Sequence, residues 1–142
     1  MQYIGTKIIN AEPMTREAYN EFRGWTLPAD EEGADEGYLV EYLDGGKPNV
    51  TTHSGYVSWS PKAQFDAAYI ALPVGSEILP AHQQRVVAEK AALDVKADAL
   101  AKFVGGSSIF DSLDVDEKAR LRDQLDAMAR YSSILANRIA AF

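Results

Sequence analysis

Two hydrophobic periods run along this chain, and they change over near residue 80. Up to that point apolar positions recur every second residue in short runs. In "QYIGTKIIN", Ile4, Thr6 and Ile8 alternate with Tyr3, Gly5, Lys7 and Ile9; in "YLVEYLD", Tyr38, Val40 and Tyr42 alternate with Leu39, Glu41 and Leu43; "GYVSWS" reads the same way. A period of two sends successive side chains to opposite faces of a strand, so three strands in an antiparallel sheet are predicted. Two short helices interrupt them. Thr15 caps "REAYNEFR", which Gly24 stops, and Ser60 followed by Pro61 opens "PKAQFDAAY" as a cap with proline at the first helical position. The stretches "PADEEGADEG" and "DGGKPNVTTHSG" are rich in acids, glycine and turn formers and read as loops. In "LPVGSEILP" the prolines discourage a continuous helix, which makes it a linker.

From Pro80 the period becomes helical. Val86, Lys90, Leu93, Ala97, Leu100 and Val104 step by alternating fours and threes, and the run is predicted to stop at Gly105-Gly106, where a left-handed cap is easy. After "SSIFDSL", Asp114 caps a second helix, with Glu117 three residues on. Its stripe is Leu121, Leu125, Met128, Ser132, Leu135, Ile139 and Phe142, and it reaches the last residue of the sequence. Helices of roughly 25 and 28 residues span about 37 and 42 Å, and a short connection folds them back as an antiparallel hairpin. The fold class is therefore α+β: residues 1–79 form a small antiparallel sheet domain with two short helices and a linker, and residues 80–142 form a helical hairpin.

A lone hairpin buries only one stripe per helix, which leaves it marginal. The first helix also carries Val87, Ala88, Ala91, Ala92, Val95, Ala99 and Ala101, a second small and apolar face. This face predicts homo-oligomerisation, and either another copy or the linker and sheet of the same chain is expected to cover the terminal stripe.

Charge narrows the function. Residues 1–79 hold 5 Lys/Arg against 12 Asp/Glu, whereas residues 80–142 hold 9 against 9. DNA and RNA polymers demand a basic field, which this chain lacks. A small anion in a local cationic pocket stays open. There is no cysteine, and only His53 and His82 offer imidazole, so thiolate chemistry is excluded and a metal site has little to draw on. "MQYIGTKIIN" has no long apolar core for a signal peptide, and no run approaches a membrane span, which predicts a soluble intracellular protein. No phosphate-binding glycine loop and no nucleophile with a base stand out, so no enzyme is expected.

The candidate chemistry lies in the hairpin. Pairing Leu100 with Leu121 makes partner numbers sum to about 221, which sets Lys90 against Tyr131 and Ser132, the polar members of two apolar seams. One reading has Lys90 snorkel to water while Ser132 merely makes room. The other has Lys90, Tyr131, Ser132 and Arg130 line an anion pocket between protomers, where ammonium and guanidinium match phosphate oxygens and a ring stacks on a base. Arg138 lies one heptad beyond Tyr131, with Arg85 close by and Asn137 beside it in the same candidate set. At the connection, Ser107 and Ser108 offer hydroxyls and Phe103 and Phe110 offer rings; such turns sometimes hold phosphate but are usually plain connectors.

The block "PAHQQRVVAEKAALDVKADALAKFV" with "SSIFDSL" and "EKARLRDQLDAMARYSSILANRIAAF" resembles the helical hairpin of two sets of phage anti-defence proteins, the anti-CBASS cyclic-nucleotide sponges and the Thoeris anti-defence sponges. A sheet domain ahead of two long helices resembles the Thoeris type. The resemblance implies a non-enzymatic protein in the cytoplasm of an infected bacterium. It would bind and sequester, without cleaving, glycocyclic ADP-ribose or cyclic di- and trinucleotides, and it would form oligomers, commonly hexamers. It also implies a ligand site built from an aromatic near the end of the first long helix and arginines of the second. Phe103 and Arg130 match that description, with Phe110 and Arg138 as second matches. The competing class is a protein antagonist or adaptor that docks on a host protein through its acidic first domain.

Overall fold

The computed structural model describes residues 1–2, 5 and 7–142. The chain divides into two compact units, Met1–Tyr69 and Ile70–Phe142, so the segment read as a linker belongs with the helices.

The first unit is a three-stranded antiparallel sheet in the order β1-β2-β3, with β1 Asn10–Pro13, β2 Gly37–Tyr42 and β3 Tyr56–Pro61. Helix α1, Arg16–Arg23, follows β1, and α2, Lys62–Ala68, follows β3. Register places Leu39 opposite Glu12 and Trp59, and Glu41 opposite Asn10 and Val57. That parity sends Leu39, Val57 and Trp59 to one face. There Leu39 and Val57 form a core with Tyr19 of α1, and Met14, Phe22, Val50 and Trp59 pack around it. The Trp59 indole N–H donates to the Met14 carbonyl at 2.8 Å, which ties the strand to the entry of α1. On the opposite face Tyr38 stacks on Phe65 of α2 at 4.0 Å between centroids, and Tyr69 continues the row.

Sequence and structure agree closely at α1. Thr15 accepts a hydrogen bond from the Ala18 N–H, and Gly24, at φ 67°, closes the helix with the Trp25 N–H reaching the Asn20 carbonyl. At α2 they differ. Pro61 ends β3 and itself precedes the helix, and no side chain caps it. The first strand also sits later than its alternation predicts, at Asn10–Pro13. Residues 7–9 are not in a strand, and the part of the expectation that falls on Tyr3, Ile4 and Thr6 lies outside the described residues.

Two local devices fix the β2–β3 connection. The Glu41 carboxylate is buried and accepts from the backbone N–H groups of Ser54 and Gly55, both at 2.9 Å, and from Asn10 at 3.1 Å. These bonds, that of Asn10 foremost, hold its carboxyl below its usual range against the opposing pull of burial. The Asn49 side chain donates to the Val57 carbonyl and accepts from the Val57 N–H, each at 2.8 Å.

The second unit opens with the segment from Ile70, which includes a short 3-10 turn at Ser76–Ile78, and continues into α3 Ala81–Gly106, α4 Ser108–Ser112 and α5 Val115–Ile139. The two long helices run about 39 and 37 Å and fold back on one another. Lys90 meets Ser132, in agreement with the expected pairing sum. Every predicted seam position from Val86 to Val104 and from Leu121 to Ile139 is buried or half-buried, Leu135 completely so, while Phe142 stays 45% exposed. The Asp114 carboxylate accepts from the Glu117 N–H at 2.8 Å and caps α5 as its sequence predicts.

The end of α3 is a correction. Gly105 and Gly106 remain helical without positive φ, and the helix ends on an extended Ser107 rather than a left-handed glycine. Ser107 then serves α4, its hydroxyl accepting from the Ile109 N–H at 3.2 Å. The connection read as a loop is thus a one-and-a-half-turn helix, because Ser107 can end one helix and cap the next. Phe110 projects from it and is only 3% exposed, its ring edge-on to Phe103 at 5.8 Å and covered by the Arg122 guanidinium at 5.1 Å.

Candidate functional site

The site is built from the polar layer of the α3–α5 seam. Lys90 and Asp94 are four residues apart and therefore neighbours on one helix face. The Lys90 ammonium reaches the Asp94 carboxylate at 2.6 Å and the Ser132 hydroxyl at 3.0 Å, and that hydroxyl donates to the second Asp94 oxygen at 2.5 Å. The three groups close a ring of hydrogen bonds across the two helices. Lys90 first, then Ser132, holds the Asp94 carboxyl below its usual range. Asp94 is the member of this ring that sequence reasoning passed over, and its spacing from Lys90 was the available signal.

The ring opens onto a groove of about 790 Å³. Its walls are the segment 71–79 on one side, Val87 and Ala91 of α3 on another, and Ala136, Ile139 and Ala140 of α5 on the third. Gln84 holds the segment in place, its amide donating to the carbonyls of Leu79 at 2.8 Å and Glu77 at 3.3 Å. Val87, assigned from the sequence to an oligomer face, is buried here within its own unit. The volume falls in the range of small-molecule sites, and the lining is mostly alkyl with the Lys90–Asp94 pair as its charged members, a make-up usual for such sites.

The remaining candidate residues are distributed around this layer. The Tyr131 hydroxyl donates to the Glu89 carboxylate of α3. That bond, followed by burial and the Glu89 charge, raises the Tyr131 hydroxyl pKa, and the Arg138 charge opposes the rise. Tyr131 itself is 41% exposed. Arg85, Arg130, Asn137 and Arg138 are exposed on the helix surfaces. Phe103, Ser107, Ser108 and Phe110 gather at the far end, where α4 joins α3. Lys90 and Tyr131 therefore share a layer, and the Phe103–Phe110 cluster forms a separate corner.

Residues 80–141 match the Sequestin family model. The match covers α3, α4 and α5, and it supplies the Lys90–Asp94–Ser132 ring and two of the three groove walls. The first unit lies outside the Sequestin match. No curated protein and no solved structure matches the chain. Among the described residues no helix is long and apolar enough to cross a membrane, and no group of acids and histidines is placed to hold a metal ion.

Proposed function

We propose that this protein is an anti-defence sponge: a phage product that binds a nucleotide immune signal and keeps it, chemically intact, from the effector it would activate. The observation that carries the reading is the coincidence of the Sequestin-like segment, a likeness whose name speaks of sequestration, with the helix pair that walls the groove. The signals that fit are cyclic ADP-ribose isomers, glycocyclic ADP-ribose among them, and cyclic di- and trinucleotides. Each combines phosphates with ribose and base, and the hairpin offers the exposed arginines 85, 130 and 138 for the former and the groove for the latter.

Sequestration acts by mass action, so the protein must outbind the effector. Nanomolar affinity corresponds to about −12 kcal/mol. Preorganisation contributes to that figure, because Lys90, Asp94 and Ser132 already hold one another in place before a ligand arrives. Oligomerisation, a hexamer in the implied arrangement, is part of the proposal. Val95, Ile134 and Ile109 of the helical unit stand 50%, 48% and 65% exposed, and a neighbouring copy would cover them.

The experiment is retention. Purified protein is mixed with a panel of cyclic nucleotides and cyclic ADP-ribose isomers, washed, and heat-denatured. Release of one compound unchanged supports the proposal, whereas hydrolysed product would make the protein an enzyme and no retention would refute binding. Deletion of residues 1–69, which removes the first unit and keeps the groove wall of residues 71–79, separates a sponge, whose helical unit still binds, from an adaptor that works through the acidic first domain.

A further inference from the structure

The polar ring at the groove has a specific unused valence. Lys90 carries three N–H donors, and Asp94 and Ser132 take two of them, leaving one. Each Asp94 oxygen accepts one hydrogen bond, from Lys90 or from Ser132, and keeps a further lone pair. Lys90 and Asp94 both line the groove. A ligand therefore meets one donor and one acceptor only 2.6 Å apart, with a summed charge of zero, set among the alkyl walls of Val87, Ala91, Ala136 and Ile139.

Phosphate is the wrong complement for this surface. At neutral pH it offers acceptors almost exclusively, so it would answer Lys90 and leave the Asp94 carboxylate facing another anion. A like charge at that distance in partly buried surroundings is repulsive. A base edge, with ring acceptor beside amino donor, or a ribose diol, in which each hydroxyl both donates and accepts, satisfies both groups at once. The flat apolar faces of such a group suit the alkyl walls. Ser76 adds no competing donor, because its hydroxyl already donates to the Pro73 carbonyl at 2.6 Å.

We infer that the groove receives the uncharged part of a nucleotide, its base or ribose, bound between Lys90 as donor and Asp94 as acceptor, and that phosphate is excluded from it. The inference rests on the sequestration reading and assigns one site within it. It also gives Asp94 a role: the carboxylate selects against bare anions.

The test uses the full chain with methyl-labelled alanine, observing Ala91, Ala136 and Ala140, with adenosine, guanosine and uridine as uncharged probes and inorganic pyrophosphate as the charged one. Shifts at these methyls with at least one nucleoside and none with pyrophosphate are expected. Shifts with pyrophosphate, alone or alongside nucleosides, or silence with every probe, would overturn the assignment. Asp94→Asn should weaken nucleoside binding about tenfold, the loss of a charged hydrogen-bond acceptor; unchanged or tighter binding counts against it. Should Asp94→Asn not fold, Ala91→Leu fills the groove instead and should abolish the shifts at Ala136. A protein that shows nucleoside shifts but retains no cyclic messenger loses the sequestration reading alone. One that retains a messenger while these methyls stay silent loses only the groove.

Discussion

Leu135→Ala probes the seam on which the site depends. Leu135 is fully buried in α5, one turn from Ser132, whereas its neighbour Ile134 on the same helix is 48% exposed. Leucine to alanine removes three carbons; at ~0.8 kcal/mol per buried carbon the transfer loss is about 2.4 kcal/mol. A residual cavity on the order of 40 Å³ adds about 1 kcal/mol, for a total near 3 kcal/mol. A unit of this size should lose roughly 12–24 °C in Tm for that change. Circular dichroism at 222 nm follows the change, by thermal scan for Tm and by urea titration for the free energy, because α3 and α5 supply most of the helix. Ile134→Ala serves as the internal comparison and should cost under ~0.5 kcal/mol in a free hairpin. A loss below ~1 kcal/mol for Leu135→Ala would refute the seam. Equal losses for both variants would mean that Ile134 is covered by another copy, which is the oligomer proposed above.

Three more outcomes follow from the first unit and the caps. Glu41 has a lowered pKa in the folded state, so its contribution is present above the unfolded carboxyl pKa and is lost as pH falls through the folded one; Glu41→Gln should flatten the fall in stability on acidification below about pH 4.5, as read by urea midpoints at successive pH values. Gly55→Ala places a Cβ 2.1 Å from the Tyr42 carbonyl oxygen, and since backbone cannot yield cheaply, a destabilisation of about 3 kcal/mol is expected in chemical denaturation monitored by tryptophan fluorescence. Asp114→Ala removes the bond to the Glu117 N–H and should lower the stability of the helical unit by about 1 kcal/mol, with Asp114→Ser recovering most of it.

The sequence made the helical unit legible because its register is local and repetitive. A stripe from Leu121 to Ile139 leaves few ways to face a partner, and the pairing of Lys90 with Ser132 followed from it. What escaped was set by contacts the pattern does not encode. All four residues of strand β1 are exposed and one of them is a proline, so its placement comes from pairing with β2 rather than from its own alternation. Gly105 and Gly106 read as a stop, yet a following serine with a helix to cap lets α3 continue through them. The groove needs the segment 71–79 to fold back on α3, a contact supplied by the Gln84 amide and invisible to any period. Asp94 was hidden for a different reason: a carboxylate on a long helix reads as solvated until its ammonium partner is seen to be half-buried beside it.

Asn49 bears on how such a protein behaves when abundant. Strand β3 is an outer strand, and its Val57 amide and carbonyl would otherwise stand ready to recruit a strand from another molecule. One side-chain amide occupies both positions. Stoichiometric capture of a messenger requires many copies in a single cell, and crowding favours accretion of unguarded sheet margins. By plugging the middle of that margin with a group that cannot propagate, the fold leaves fewer free backbone groups from which fibres could start at the concentrations that the proposed sequestration would require.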